Sequence, residues 1–160
     1  MLTNRLFTGV RVAACGAAVL AFAALPAQAD QNDLSAWNAI KPDLFADRPM
    51  ADGSKILRID APVRAQDAGL VPVTIEALAP QRPEWLIKSI TLVVDNNPSP
   101  VAAVFRPAPE SGLASFGTRI RINEYSHVRA IAELGDGSLY EVSRYVKAAG
   151  GCSAPAMKNE

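Results

Sequence analysis

Histidine is almost missing from this chain, which holds one, His127, in 160 residues. Cysteine is scarce too, at Cys15 and Cys152 alone, and aromatic residues make up only 6%. A nitrogen and sulfur metal centre needs three or four such ligands at workable spacing, and His127 with Cys152 does not supply them. No serine sits in a nucleophile elbow and no glycine-rich phosphate loop appears. A stand-alone enzyme therefore has little to be built from, and the expectation is a non-enzyme without metal or cofactor. Charge of one sign is not in excess either, with 16 basic against 16 acidic side chains. Without a basic cluster or a basic amphipathic helix, neither nucleic acid nor a membrane surface is an expected partner.

No apolar run reaches the roughly 20 residues of a membrane-spanning helix. The longest, Val12 to Leu25, follows Arg5 and Arg11 and precedes Ala27-Gln28-Ala29, then Asp30. That is the pattern of a cleaved secretory signal over residues 1–29, with cleavage near Ala29/Asp30 and a soluble exported product expected. Val12-Ala13-Ala14-Cys15 has the outline of a lipidation box, but the apolar stretch lies mostly after Cys15. Losing residues 1–29 removes Arg5, Arg11 and no acid, leaving 14 basic and 16 acidic side chains in 131 residues. One domain of ordinary size is expected. Cys15 leaves as well, so Cys152 has no internal disulfide partner. An odd thiol in an oxidising compartment implies intermolecular pairing, a reactive group or an inert side chain.

Between Asp33 and Asp47, Leu34, Trp37, Ile40, Leu44 and Phe45 recur at three- and four-residue steps. This predicts one or two short helices in an N-terminal segment, 30–52, with Asp33 or Ser35 as a cap and Pro42 as a break or restart. From Gly53 the period changes to two. Strands are predicted in "KILRIDAP", "LVPVTIEAL", "WLIKSITLVVD", "VAAVFRP", "ASFGTRIRIN", "SHVRAIAEL" and "SLYEVSRYVKAA". Pro72 marks a strand start or an edge. "DNNPSP" and Gly135-Asp136-Gly137 supply turns between consecutive strands. About seven strands with turn signals between them, and no alternation with helices, predict an all-β, immunoglobulin-like antiparallel sandwich over 53–148.

His127 falls where alternation turns it outward at a strand start and reads as a surface or turn residue. Strand-ending acids such as Asp95, Asp136, Glu124 and Glu133 read as solvated, and the scattered aromatics, Trp37, Trp85, Phe105 and Tyr145 among them, as core or interface. That leaves Cys152. It follows the last strand, with Gly150 and Gly151 before it and Ser153, Ala154 and Pro155 after it. The expectation is a flexible arm, 149–160, because glycine lifts the restriction on φ. The six residues from Lys147 to Cys152 extend at most about 20 Å at roughly 3.3 Å per residue. A frayed terminus with an incidental thiol is the competing reading.

"RIDAPVRAQDAGLVPVTI", "ITLVVDNNPSPVAAVF", "GTRIRINEYSHVRAIAELGDGSLYEVSRYVK" and the terminal "GGC" resemble, in that order, the SoxY sulfur-carrier family. The resemblance runs from about Ile56 to Cys152 and is closest to the SoxYZ-like carriers associated with quinoprotein dehydrogenases. It implies a periplasmic, non-catalytic carrier used in oxidation of thiosulfate and related compounds. Cys152 is then the covalent sulfur attachment site, with Gly150 and Gly151 as the flexible part of the arm. The implied partners are a SoxZ-like subunit or domain, sulfur-oxidising enzymes, and c-type cytochromes or a quinoprotein dehydrogenase. Two departures stand out: the family's arm continues Gly-Gly where this chain has Ser153, Ala154 and Pro155, and the SoxZ-like part is not within these 160 residues, so that it is expected either as a separate subunit or as a further part of a longer fused protein. The other reading left open is an interaction module of a dehydrogenase or cytochrome system whose thiol is dispensable.

Overall fold

The computed structural model describes residues 33–78, 81–82 and 86–148. It consists of a helix and two facing sheets. The helix α1 spans Ser35–Phe45. The strands are β1 Met50–Asp52, β2 Leu57–Asp60, β3 Arg64–Ala65, β4 Val71–Ala77, β5 Ile87–Val94, β6 Val101–Phe105, β7 Phe116–Ile120, β8 Ser126–Leu134 and β9 Leu139–Ala148. The first sheet runs β1-β9-β8-β5-β6, with β3 also paired to β9, and the second runs β2-β4-β7. Seven of the nine strands coincide with the seven period-two segments of the sequence. The other two, β1 and β3, raise the count above the expected seven. Both pair parallel with β9, so the first sheet is mixed rather than purely antiparallel. They are three and two residues long, too short for alternation to register.

Alternation sets the core. Val71, Val73 and Ile75 of β4 meet Ile90, Leu92 and Val94 of β5 and Val128, Ala130 and Ala132 of β8, all at most 1% exposed. Pro72 is the second residue of central strand β4, opposite Arg119, so it marks a strand start and not an edge. "DNNPSP" does more than turn the chain. Asn97 Nδ2 donates to Arg121 O at 2.8 Å, and Asn97 Oδ1 accepts the Asn123 N–H at 2.9 Å. These bonds clip the β5–β6 turn to the loop before β8. In the β8–β9 turn, Gly137 has φ +87, a left-handed conformation that glycine adopts without a Cβ penalty.

The helix continues through Pro42 instead of breaking. Its stripe of Trp37, Ile40, Leu44 and Phe45 packs on Val93, Ile131, Leu139 and Met50, on the outer face of the first sheet. Tertiary packing of this kind outweighs the hydrogen bond that the proline removes. Leu34, the remaining member of the predicted stripe, is exposed. Asp33 rather than Ser35 serves the helix start, its Oδ1 accepting the Ser35 N–H at 2.8 Å. That bond holds the Asp33 carboxyl below the usual aspartate value. Because α1 covers the outer face, β8 is buried on both sides along most of its length.

Candidate functional site

Sequence reasoning centres the chemistry on Cys152, with Gly150 and Gly151. All three lie outside the described residues, as do residues 1–29 and Trp85. What the structure describes is the strand from which that segment departs. Strand β9 pairs with β8 over eight positions, from Ser126↔Val146 to Glu133↔Leu139. On its other side β1 takes Leu139 to Glu141, and β3 takes Lys147 and Ala148. The Lys147 N–H donates to Val63 O at 2.8 Å. Val146 and Ala148 are buried. The strand is therefore paired along its whole length, by β8 up to Val146 and by β3 at Lys147 and Ala148, the last residue four positions before Cys152. Near its other end, the Gly53 N–H donates to Glu141 O at 2.8 Å. A Cβ on Gly53 would lie 3.0 Å from that oxygen, so the close approach requires glycine.

Beside the end of β9 nearest Cys152, a polar pocket of about 50 Å³ is lined by Asn96, Tyr125, Ser126, His127 and Tyr145, with Asp33 from the start of α1. His127 is half-buried there, and its ring meets the edge of Tyr145 at 5.0 Å between centroids. It is not the exposed residue that alternation alone predicts, because the neighbouring strand and helix cover that face. Asn96 ties the pocket together: its N–H donates to Ser126 Oγ at 3.1 Å and its Nδ2 to Tyr125 O at 2.8 Å. The pocket has room for little more than water. Among the described residues, no three of His, Cys, Asp and Glu converge as metal ligands.

An ion cluster was not anticipated by the sequence reading. Arg129, on the opposite side of β8 from Val128 and Ala130, is 3% exposed. Its Nε and Nη2 donate to both oxygens of Asp95, at 2.7 to 3.0 Å, and its Nη1 donates to Glu141 Oε1. The Trp37 ring covers the guanidinium, with Cζ 4.6 Å from the ring centroid, a cation–π contact. Burial by itself lowers the Arg129 pKa and is the largest single influence. The hydrogen bonds and charges of Asp95, then of Glu141, together outweigh it, and the guanidinium is held above its ordinary value. Asp95 thus corrects the expectation that strand-ending acids are solvated. Asp136 keeps to it, being exposed in the β8–β9 turn, where its carboxylate accepts from Ser138 Oγ at 2.6 Å. One signal for the cluster was present in "SHVRAIAEL": an arginine surrounded by valine, alanine and isoleucine on a strand. Nothing in it named the partners.

The described domain thus has a two-sheet frame and a buried ion cluster. Known proteins give the frame its context. The family of the sulfur oxidation protein SoxY matches residues 41–152. No curated protein sequence matches the chain. Among solved structures, the sulfur carrier protein SoxY from Chlorobium limicola f thiosulfatophilum is 26% identical, with a TM-score of 0.55 over 69% of this chain and 88% of that one. A superoxide reductase (neelaredoxin) from Ignicoccus hospitalis, in its E23A form, is 14% identical with a TM-score of 0.52, over 70% of this chain and 87% of the other. That second likeness is one of fold alone. The family match extends over most of the chain and is joined by a carrier of the same sandwich architecture, so this chain belongs to the SoxY family of sulfur carriers.

Proposed function

We propose that the chain is exported to the periplasm, loses residues 1–29, and carries sulfur intermediates as covalent adducts on Cys152. The observation that carries this reading is where the family match ends: on Cys152 itself, four residues past the last residue of β9. A strand paired up to Ala148, its last two residues by β3, offers a fixed root, and Gly150 and Gly151 add no side chain that would obstruct entry into a partner's active site. With thiosulfate as cargo, the Cys152 thiolate and thiosulfate join through a new S–S bond, releasing two electrons to an acceptor of the c-type cytochrome class. Hydrolysis of the terminal S–S(O)₃ linkage then frees sulfate and two protons and leaves a persulfide on the cysteine. Partner enzymes perform these steps, and the carrier supplies the sulfur atom's attachment point. A SoxZ-like subunit or domain, sulfur-oxidising enzymes, and cytochromes or a quinoprotein dehydrogenase are the partners this reading calls for.

A chromosomal Cys152→Ser substitution tests it. Thiosulfate-dependent oxygen uptake should be abolished while the protein remains at its normal level in the periplasmic fraction. Undiminished uptake would favour the other reading, an interaction module of a quinoprotein dehydrogenase or cytochrome system with a dispensable thiol. Ser153-Ala154-Pro155, bulkier and stiffer than the Gly-Gly of the family arm, is the feature that favours that alternative.

A further inference from the structure

Strand β3 is two residues long, and its register with β9 places both side chains: Arg64 stands opposite Lys147, and Ala65 opposite Ala148. Residues paired across neighbouring strands share a face of the sheet. Ala65 packs against the core and Ala148 is buried, so that pair faces inward. Arg64 and Lys147 therefore stand side by side on the outer face, the arginine exposed and the lysine half-buried.

Like charges directly opposite one another on a sheet are destabilising. Elsewhere in this domain cations are matched with acids. Arg58 is set in register opposite Glu76 and pairs with it; Arg48 and Lys88 share Glu133; Arg129 is held by Asp95 and Glu141. Among the described residues no acid forms an ion pair with Arg64 or Lys147. Asp67, three positions past Arg64, instead turns its Oδ1 to the Gly69 N–H at 2.7 Å. Two cations side by side without an acid make a place for an anion, and a guanidinium fork suits an oxyanion in particular.

We propose that Arg64 and Lys147 form an anion clamp that draws the negatively charged sulfur group on Cys152 back to the outer face of the first sheet, at the end of β9. The inference rests on the reading of Cys152 as the attachment site. Cys152 lies four positions past Ala148, within at most about 13 Å of it at roughly 3.3 Å per residue. Two solvent-facing cations hold a free anion weakly, because water and salt screen them. Tethering offsets that weakness: an anion linked over so short a distance is presented at an effective concentration of roughly millimolar order. An uncharged thiol gains nothing from the clamp, whereas a thiosulfonate, with its terminal sulfonate charge, does. The clamp thus separates the loaded carrier from the empty one.

Tetrathionate loads the purified protein without a partner enzyme. The Cys152 thiolate attacks one central sulfur, the central S–S bond breaks, and thiosulfate leaves with the bonding pair while a thiosulfonate stays on the cysteine. Methyl methanethiosulfonate gives the neutral counterpart, a methylthio cap, with methanesulfinate leaving. Nitrogen-15 spectra of both products should show the Arg64 Nε–H and the Lys147 amide displaced by the thiosulfonate alone. The displacement should vanish in about 1 M sodium chloride, where the Debye length is about 3 Å. No displacement, an equal one with the neutral cap, or an equal one when equimolar thiosulfate is added to Cys152→Ser overturns the proposal, the last by showing an adventitious ion only. In the double variant R64E/K147E the rate of loading by tetrathionate, divided by that by methyl methanethiosulfonate, should fall at least about threefold at roughly 10 mM ionic strength. The far-ultraviolet circular dichroism should be retained. An unchanged ratio also overturns the clamp. Chemical loading does not depend on what cells attach to Cys152, so a failure here leaves the carrier reading to its own test of oxygen uptake.

Discussion

Arg129 lies between a sheet and a helix, where an uncompensated charge costs several kcal/mol. Its guanidinium is satisfied by Asp95 on two sides, by Glu141 on a third and by the face of Trp37. Such a cluster is demanding more than it is strongly stabilising, because desolvation offsets most of the attraction. The two kinds of substitution should therefore behave differently. Arg129→Ala strands Asp95 in the interior and should lower unfolding stability by about 3–5 kcal/mol. Replacing both partners, as R129M/D95N, should recover most of that loss, leaving a coupling energy that equilibrium urea unfolding of the four proteins in the cycle measures directly. Additive losses would mean that Arg129 contributes independently of Asp95, through Glu141 and the Trp37 face. The cluster was only half legible in the sequence. An arginine in an apolar strand advertises a partner, but Asp95 is 34 residues away and sits in a turn signal that normally means solvent.

At the scale of elements, helix α1 turns a two-layer sandwich into one with three layers on one side. Trp37 is its anchor, 5% exposed, touching Phe45 edge to face with 6.2 Å between ring centroids. Trp37→Ala removes the largest side chain of that layer and the cover of Arg129, and should cost about 3–5 kcal/mol. Differential scanning calorimetry should show one lowered transition. An unchanged melting temperature would mean that the helix does not contribute to the cooperative unit. The apolar stripe of the helix, the seven longer strands and both hairpin turns were readable because each carries its own periodicity or turn chemistry. Strands β1 and β3 were not, since two or three residues hold no period and their partners on β9 lie 89 and 83 positions later. The persistence of α1 through Pro42 was hidden for a related reason: local propensity predicts a break, and the sheet beneath the helix overrides it.

For the whole molecule, the division of labour is simple. A sandwich with a packed core ends its last strand at Ala148, four positions before Cys152. The sequence singles out Cys152 because the chain holds one other cysteine, Cys15, inside the expected signal segment, and a single histidine. The frame's contribution was not legible: it depends on β3, two residues long, which takes over from β8 at Lys147 and Ala148 and extends the pairing of β9 to its last residue. The central claim is that Cys152 bears the cargo. Intact-mass analysis of the protein purified from its native periplasm, during growth on thiosulfate, tests it most directly. The account predicts added masses corresponding to sulfur or sulfur oxyanions that map to the Cys152 peptide, disappear on reduction and never occur in Cys152→Ser. A population in such cells that carries only unmodified or randomly oxidised Cys152 would contradict it.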